Sequence, residues 1–255
     1  MRCVLLLCAI LLSANVPVSA QSAADEHAPD VMASTFVPGV DVAPIPGVPF
    51  TADEKIIWTR PVEGGGNITS YLSSKIVRDS EGRVYRERHH FGPATLDGAA
   101  SMYQFYILDP VARTATICLK PQRLCHIVPL NQRPTPPLQA VGPFNGGKEY
   151  LARQTLGSQI MQELQVTDTQ ESVTIQPGTF GNDQVLTLTR EFWYSPDLQI
   201  NLSVLRKDPR MGTQDVRVTI VSRMNPGASV FAVPAGYRVE DNRPSASHIA
   251  VQPPQ

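Results

Sequence analysis

Leu198-Gln-Ile-Asn-Leu-Ser-Val204, then Asp208-Pro-Arg-Met-Gly212, then Val216-Arg-Val-Thr-Ile220 form two alternating runs around a proline–glycine turn. In the first run Leu198, Ile200, Leu202 and Val204 share one face, with Gln199, Asn201 and Ser203 on the other. In the second, Val216, Val218 and Ile220 alternate with Arg217 and Thr219. Period two is the repeat of a strand with one face on a core and one toward water. It marks antiparallel pairing rather than a parallel sheet buried on both sides. The turn between them combines a side-chain acceptor, a proline that fixes φ and a glycine that tolerates positive φ.

The same grammar extends in both directions. Glu54 to Arg60 turns at Gly64-Gly65-Gly66-Asn67 into Ile68 to Arg78, which turns at Asp79-Ser80-Glu81-Gly82 into Arg83 to Phe91. Met102 to Leu108 leads through Asp109-Pro110 into a cysteine-bearing hairpin. Gln165 to Ile175, Gln184 to Tyr194 and the two opening runs follow. Nine or ten strands on short turns predict a mainly β protein: a single large curved antiparallel sheet, a half-barrel, with one or two short helices. A flat sheet of that size would not stay open, so it should curl. Gly147 to Gly157 is the helix candidate, with Gly157 as its C-cap.

Composition agrees. Of 255 residues, 42% are hydrophobic and 18% charged, which is enough apolar material for a core and excludes wholesale disorder. Net charge is −1, so the basic footprint of a nucleic-acid binder is absent. There are 23 prolines, about 9% of the chain against a usual ~5%, which long helices tolerate badly.

Residues 1–20 read as a secretory signal peptide: Arg2, an apolar run from Val4 to Leu12, and a small-residue cleavage site at Val18-Ser19-Ala20. The apolar run is too short to span a bilayer, so no stable membrane insertion is expected after cleavage. The expected home is the periplasm or the extracellular space. Residues 21–50 are a proline-rich linker or tail, 51–240 the curved β domain, and 241–255 a flexible C-terminal tail. Removal of the leader leaves Cys118 and Cys125, flanking Lys120-Pro121-Gln122-Arg123. A four-residue hairpin loop places the two cysteines opposite each other, where α-carbons lie about 4.5 Å apart. An exported chain meets an oxidising compartment, so a cross-strand disulfide is predicted.

Glu191-Phe-Trp-Tyr-Ser-Pro-Asp-Leu198, Asp208-Pro-Arg-Met-Gly212 and Phe231-Ala-Val-Pro-Ala-Gly-Tyr237 occur in that order. Upstream lie Arg78-Asp-Ser-Glu-Gly-Arg83 and Ile107-Leu-Asp-Pro110. Together these resemble a family of secreted bacterial proteins whose activity is uncharacterised, over residues 48–240. The order of hairpins, a tryptophan strand and a terminal Phe-x-x-Pro-x-Gly-Tyr is more remotely similar to the outer-membrane lipoprotein carrier (LolA-like) half-barrel. That resemblance implies a curved sheet around an apolar cavity and carries over no ligand residue.

A search for chemistry yields little. There is no G-x-S-x-G, H-E-x-x-H, phosphate loop or dinucleotide fingerprint, so no catalytic, cofactor-binding or metal residues are nominated. His89 and His90 are strand neighbours on opposite faces and cannot share a metal. His126 reads as a hydrogen-bonded core histidine. Trp58 and Trp193 are most simply core aromatics. The charged strand around Arg86 and Arg88 reads first as a solvated face paired with Glu81 and Glu87, and second as an anion site at the sheet rim. Trp58, Trp193, Arg86 and Arg88 are thus the candidates for ligand or rim contacts. The expected role is non-enzymatic: an exported protein holding a lipid or other apolar ligand, or a module that binds an envelope protein through a sheet edge or the proline-rich tail.

Overall fold

The computed structural model describes residues 39–93, 102–131 and 138–244. The leader, the proline-rich segment through Pro38 and the chain after Pro244 lie outside the described residues. Thirteen strands follow in chain order. The first six are β1 (Phe50–Val62), β2 (Gly66–Arg78), β3 (Val84–His89), β4 (Met102–Asp109), β5 (Thr114–Leu119) and β6 (Leu124–Pro129). The rest are β7 (Gly142–Phe144), β8 (Glu149–Met161), β9 (Leu164–Ile175), β10 (Leu186–Ser195), β11 (Ile200–Asp208), β12 (Gly212–Ser222) and β13 (Arg238–Asp241).

All belong to one sheet, ordered β13-β6-β5-β4-β3-β2-β1-β12-β11-β10-β9-β8-β7. Two antiparallel meanders, β1 to β6 and β7 to β12, therefore meet along the β1–β12 pair. Among the described residues only the β13–β6 pair is parallel. The sheet remains open, with β13 and β7 as its end strands. It also curls. The side chain of Gln162, at the β8–β9 tip, donates to the carbonyl of Val218 at 2.8 Å and accepts from the Ile220 amide at 2.7 Å. Those groups are on β12, three strands away from β9, and only a strongly bent sheet brings them within reach. The side-chain amide acts there as a substitute strand residue on an edge that β11 no longer covers.

The principal core sits on the concave side. Phe50, Ile56, Ile76, Phe192, Leu198, Ile200, Leu202, Val204, Val216 and Val218 are each no more than 1% exposed and form one cluster with Leu164 and Val166. The runs Leu198 to Val204 and Val216 to Ile220 supply six of these side chains. A second cluster, Phe105, Ile107, Cys118 and Cys125, packs under Phe231, Val233 and Tyr237 of the returning chain end.

Three features differ from the sequence reading. Gly147 to Gly157 is not a helix. Its helix-forming Glu, Leu, Ala, Arg and Gln are overridden by a ladder running from Glu149–Ile175 to Met161–Leu164. Gly157 (φ 148°) marks a register shift in that ladder, a bulge rather than a cap. Helical structure among the described residues is confined to two single 3-10 turns, Asn145–Gly147 and Ala228–Phe231. Residues 39–49, read as part of a linker, form a strap packed against the sheet, with Val40 and Val42 buried.

Candidate functional site

Along β1, Phe50, Ala52, Glu54, Ile56 and Trp58 alternate onto the concave face, and Glu54 is the exception in an apolar row. It is about 1% exposed. A buried carboxylate requires a partner, and β3 supplies Arg86, whose Nη2 donates to Glu54 at 2.9 and 2.7 Å. Ser74 Oγ donates to the same carboxylate at 3.0 Å. The strap closes the arrangement: the Val40 amide donates to Glu54 at 2.7 Å, and Arg86 Nη1 donates to the Val40 carbonyl. Burial works against the Arg86 charge, but Glu54, with a further contribution from Tyr106, outweighs it and raises the guanidinium above its ordinary value.

Arg78 secures the other end of the strap. It is buried and donates to the carbonyls of Val48 (2.9 Å), Ala43 (3.2 Å) and Leu198 (2.5 Å), with its guanidinium 4.8 Å from the Phe50 ring. Burial pulls its pKa down to about 10, so it stays charged at neutral pH. These two arginines do structural work. Arg86 is neither on a solvated face nor at a rim, which corrects both sequence readings. Neither reading could show that the strap of residues 39–49 packs over Arg86.

The open part of the site lies at the far ends of β3 and β4. His90 and Tyr103 stack there with ring centroids 4.5 Å apart. Two adjoining hollows share this pair. The smaller, about 190 Å³, is lined by Leu72, Ser74, Glu87, Arg88 and Phe91 among others. The larger, about 670 Å³, is lined by Met102, Lys120, Pro121, Arg123, Ala235 and Tyr237 with the shared pair. Glu87, their one carboxylate, is already engaged. Tyr85 Oη donates to it at 3.2 Å, the Lys75 amide at 3.3 Å, and His89 Nε2 lies at 2.9 Å. Burial, with Glu87 adding, pushes the Tyr85 phenol up, so it remains a donor. Three cations, Arg88, Lys120 and Arg123, thus border hollows of mixed apolar and polar lining.

The cysteine hairpin presents two of those cations. Cys118 and Cys125 are directly opposed and disulfide-bonded, with α-carbons 4.0 Å apart. The bridge holds the turn in which Arg123 adopts a left-handed φ of 47°. The Lys120 amide donates to the Tyr103 carbonyl at 2.9 Å, and the Arg238 amide donates to the Arg123 carbonyl at 2.8 Å. The hairpin is therefore tied to β4 on one side and to the chain end on the other.

Of the other candidates, Arg88 lines the smaller hollow with its guanidinium 5.5 Å from the Tyr106 ring. Trp58 stands just behind, edge-on to Phe91 at 5.9 Å, with Nε1 donating to the Met211 carbonyl at 2.8 Å. Trp193 packs against the main core, on the far meander. The four are not brought together. His126 is half-buried, 3.1 Å from Asn242 and 3.4 Å from Glu240. Sequence reasoning missed His90, Met102, Tyr103 and Tyr237 as site residues. It weighed His89 and His90 only as metal ligands and read Lys120 to Arg123 only as a turn. Among the described residues no cluster of three His, Cys, Asp or Glu could hold a metal, and no helix is long and apolar enough to cross a membrane.

No protein-family model and no curated protein matches the chain. Among solved structures it is similar to the LolA superfamily protein NE2245 from Nitrosomonas europaea, at 9% identity and TM-score 0.31, over 74% of this chain and 91% of that one. It is similar to the Pseudomonas aeruginosa MucA/MucB complex at 11% identity and TM-score 0.35, over 74% of this chain and 58% of that one. It is similar to Mycobacterium tuberculosis lipoprotein LppX at 7% identity and TM-score 0.28, over 69% of this chain and 89% of that one. The half-barrel description itself rests on the pairing and bend of the sheet.

Proposed function

We propose that this chain is an exported, non-enzymatic binding protein whose ligand is an amphiphile, with an apolar chain and an anionic headgroup. Residues 1–20 direct its export, and the Cys118–Cys125 bridge suits an oxidising compartment. One observation carries the reading: the larger hollow combines Met102, Tyr103 and Tyr237 with Lys120 and Arg123 at about 670 Å³. That volume is in the usual range for small-molecule sites, which pair an apolar lining with a few placed polar groups. The middle of the concave face is closed by the protein's own side chains and strap, so the ligand belongs at the β3–β4 end.

The reading is tested with the mature protein purified from the exported fraction. Native mass spectrometry and solvent extraction should find a co-purifying amphiphile. A fluorescent fatty acid should bind saturably and be displaced by it. Lys120→Glu with Arg123→Glu should weaken that probe at least tenfold, and Tyr103→Ala should weaken it whatever the salt concentration. Absence of both a co-purifying amphiphile and saturable probe binding would overturn the proposal.

A further inference from the structure

The two ends of the sheet are built differently. β13 is four residues long and carries Arg238, Glu240 and Asp241. Short length and charge are the usual means of discouraging edge-to-edge pairing. At the other end β7 pairs only with Glu149 to Leu151 of β8. From Ala152 onward no described residue pairs with the outer edge of β8. Arg153 is already engaged, inward with Glu171 at 2.7 Å and on the outer side with the Gln139 carbonyl at 3.0 Å. The next eight residues, Gln154-Thr-Leu-Gly-Ser-Gln-Ile-Met161, contain no charge and no proline. Residues 154–160 are all exposed, Leu156 at 48% and Ile160 at 70%. A long neutral edge of this kind is a template for another strand.

The edge is also self-complementary. Turned about a two-fold axis through the Leu156–Gly157 bulge, a second copy sets Thr155 opposite Ser158 and Gln154 opposite Gln159, twice over. Arg153 then faces Ile160, so like charges never meet. Thr–Ser hydroxyl pairs are favourable cross-strand neighbours, and a two-fold contact of identical patches is the commonest form of self-association. Gly157 at the axis leaves open space where a β-carbon would stand. We propose that the β8 edge from Gln154 to Met161 binds a second copy of this chain, joining two half-barrels into one continuous antiparallel sheet. A contact of so few residues falls below the ~1,200 Å² of a stable interface, so the dimer is weak and concentration-dependent.

Sedimentation velocity of the mature protein over a wide concentration range tests this independently of any ligand. The wild type should shift from monomer to dimer. Gln154→Lys with Gln159→Lys places lysines opposite each other and should raise the dimer dissociation constant at least tenfold. Gln154→Lys with Gln159→Glu should restore dimerisation in a salt-sensitive way. Both positions are exposed, and circular dichroism should be unchanged in all three proteins. A wild type that stays monomeric throughout, or a double-lysine variant that dimerises like wild type, would overturn the proposal.

Discussion

Replacing Glu54 with alanine removes the acceptor for three groups at once: the Arg86 guanidinium, the Val40 amide and the Ser74 hydroxyl. Arg86 is 4% exposed and cannot recover water in its place. Removing one member of a buried ion pair costs about 3–5 kcal/mol, because the surviving charge is left uncompensated. That is a large part of a typical domain stability of about 5–15 kcal/mol. Exchanging both members for apolar residues of similar volume is often neutral. Glu54→Leu with Arg86→Met should therefore be more stable than either single variant, within about 2 kcal/mol of wild type. Urea unfolding at neutral pH, with an unchanged slope, reads these values. Amide exchange gives a second readout. The Val40 N–H should lose protection even in the stable double variant, since its acceptor is gone. If Glu54→Ala costs less than about 1 kcal/mol, or the double variant loses the full sum of the singles, the pair is not what holds the strap.

Gly39→Ala should destabilise by about 1–3 kcal/mol, because φ is +125° and a β-carbon would overlap Arg86 and Glu54; thermal unfolding measures it. Replacing both Cys118 and Cys125 with serine opens a bridge of sequence separation 7. It should cost roughly 2–2.5 kcal/mol by loop-closure entropy and weaken probe binding at Lys120 and Arg123 in the same preparation. Gln162→Ala should cost about 1 kcal/mol and speed amide exchange at Ile220 without altering β11. Burial alone would raise the Asp208 carboxyl, but hydrogen bonds from Arg210 outweigh it and hold the group below its usual range. A depressed acid contributes stability above its unfolded pKa of ~3.9 and loses it as pH falls through the folded value. Wild type should therefore exceed Asp208→Asn at pH 6, and the difference should shrink only as pH falls below the unfolded value of ~3.9 and through the lower folded one, as followed by urea midpoints.

What could be read from the chain alone divides along sequence distance. β11 and β12 were legible because their period is local and their turn chemistry lies between them. The disulfide was legible because Cys118 and Cys125 lie across one short loop. β8 was not, because Glu149 to Gly157 has a helix-forming composition and becomes a strand only through β9. The strap was not, because prolines and glycine at 38–49 look like a linker until Gly39 and Val40 meet Glu54 and Arg86. The His90–Tyr103 stack joins two strands across a register shift after Arg88, which no alternation count anticipates.

One signal was present and unused. Glu54 interrupts the row Phe50, Ala52, Ile56, Trp58, and a carboxylate on an apolar face demands a cation. The in-phase cations on the next two strands are Arg78, Arg86 and Arg88. Register removes Arg78, which stands opposite Phe50 on β2, and leaves two: Arg86, opposite Ile76, whose β1 partner is Ala52, and Arg88, which the same count would set opposite Ser74, the β2 partner of Glu54. The β2–β3 ladder stops at Ile76 and Arg86, so Arg86 reaches Glu54 while Arg88 lines the smaller hollow. Alternation thus narrows the partner of Glu54 to two arginines, and the end of the ladder, a tertiary feature, chooses between them.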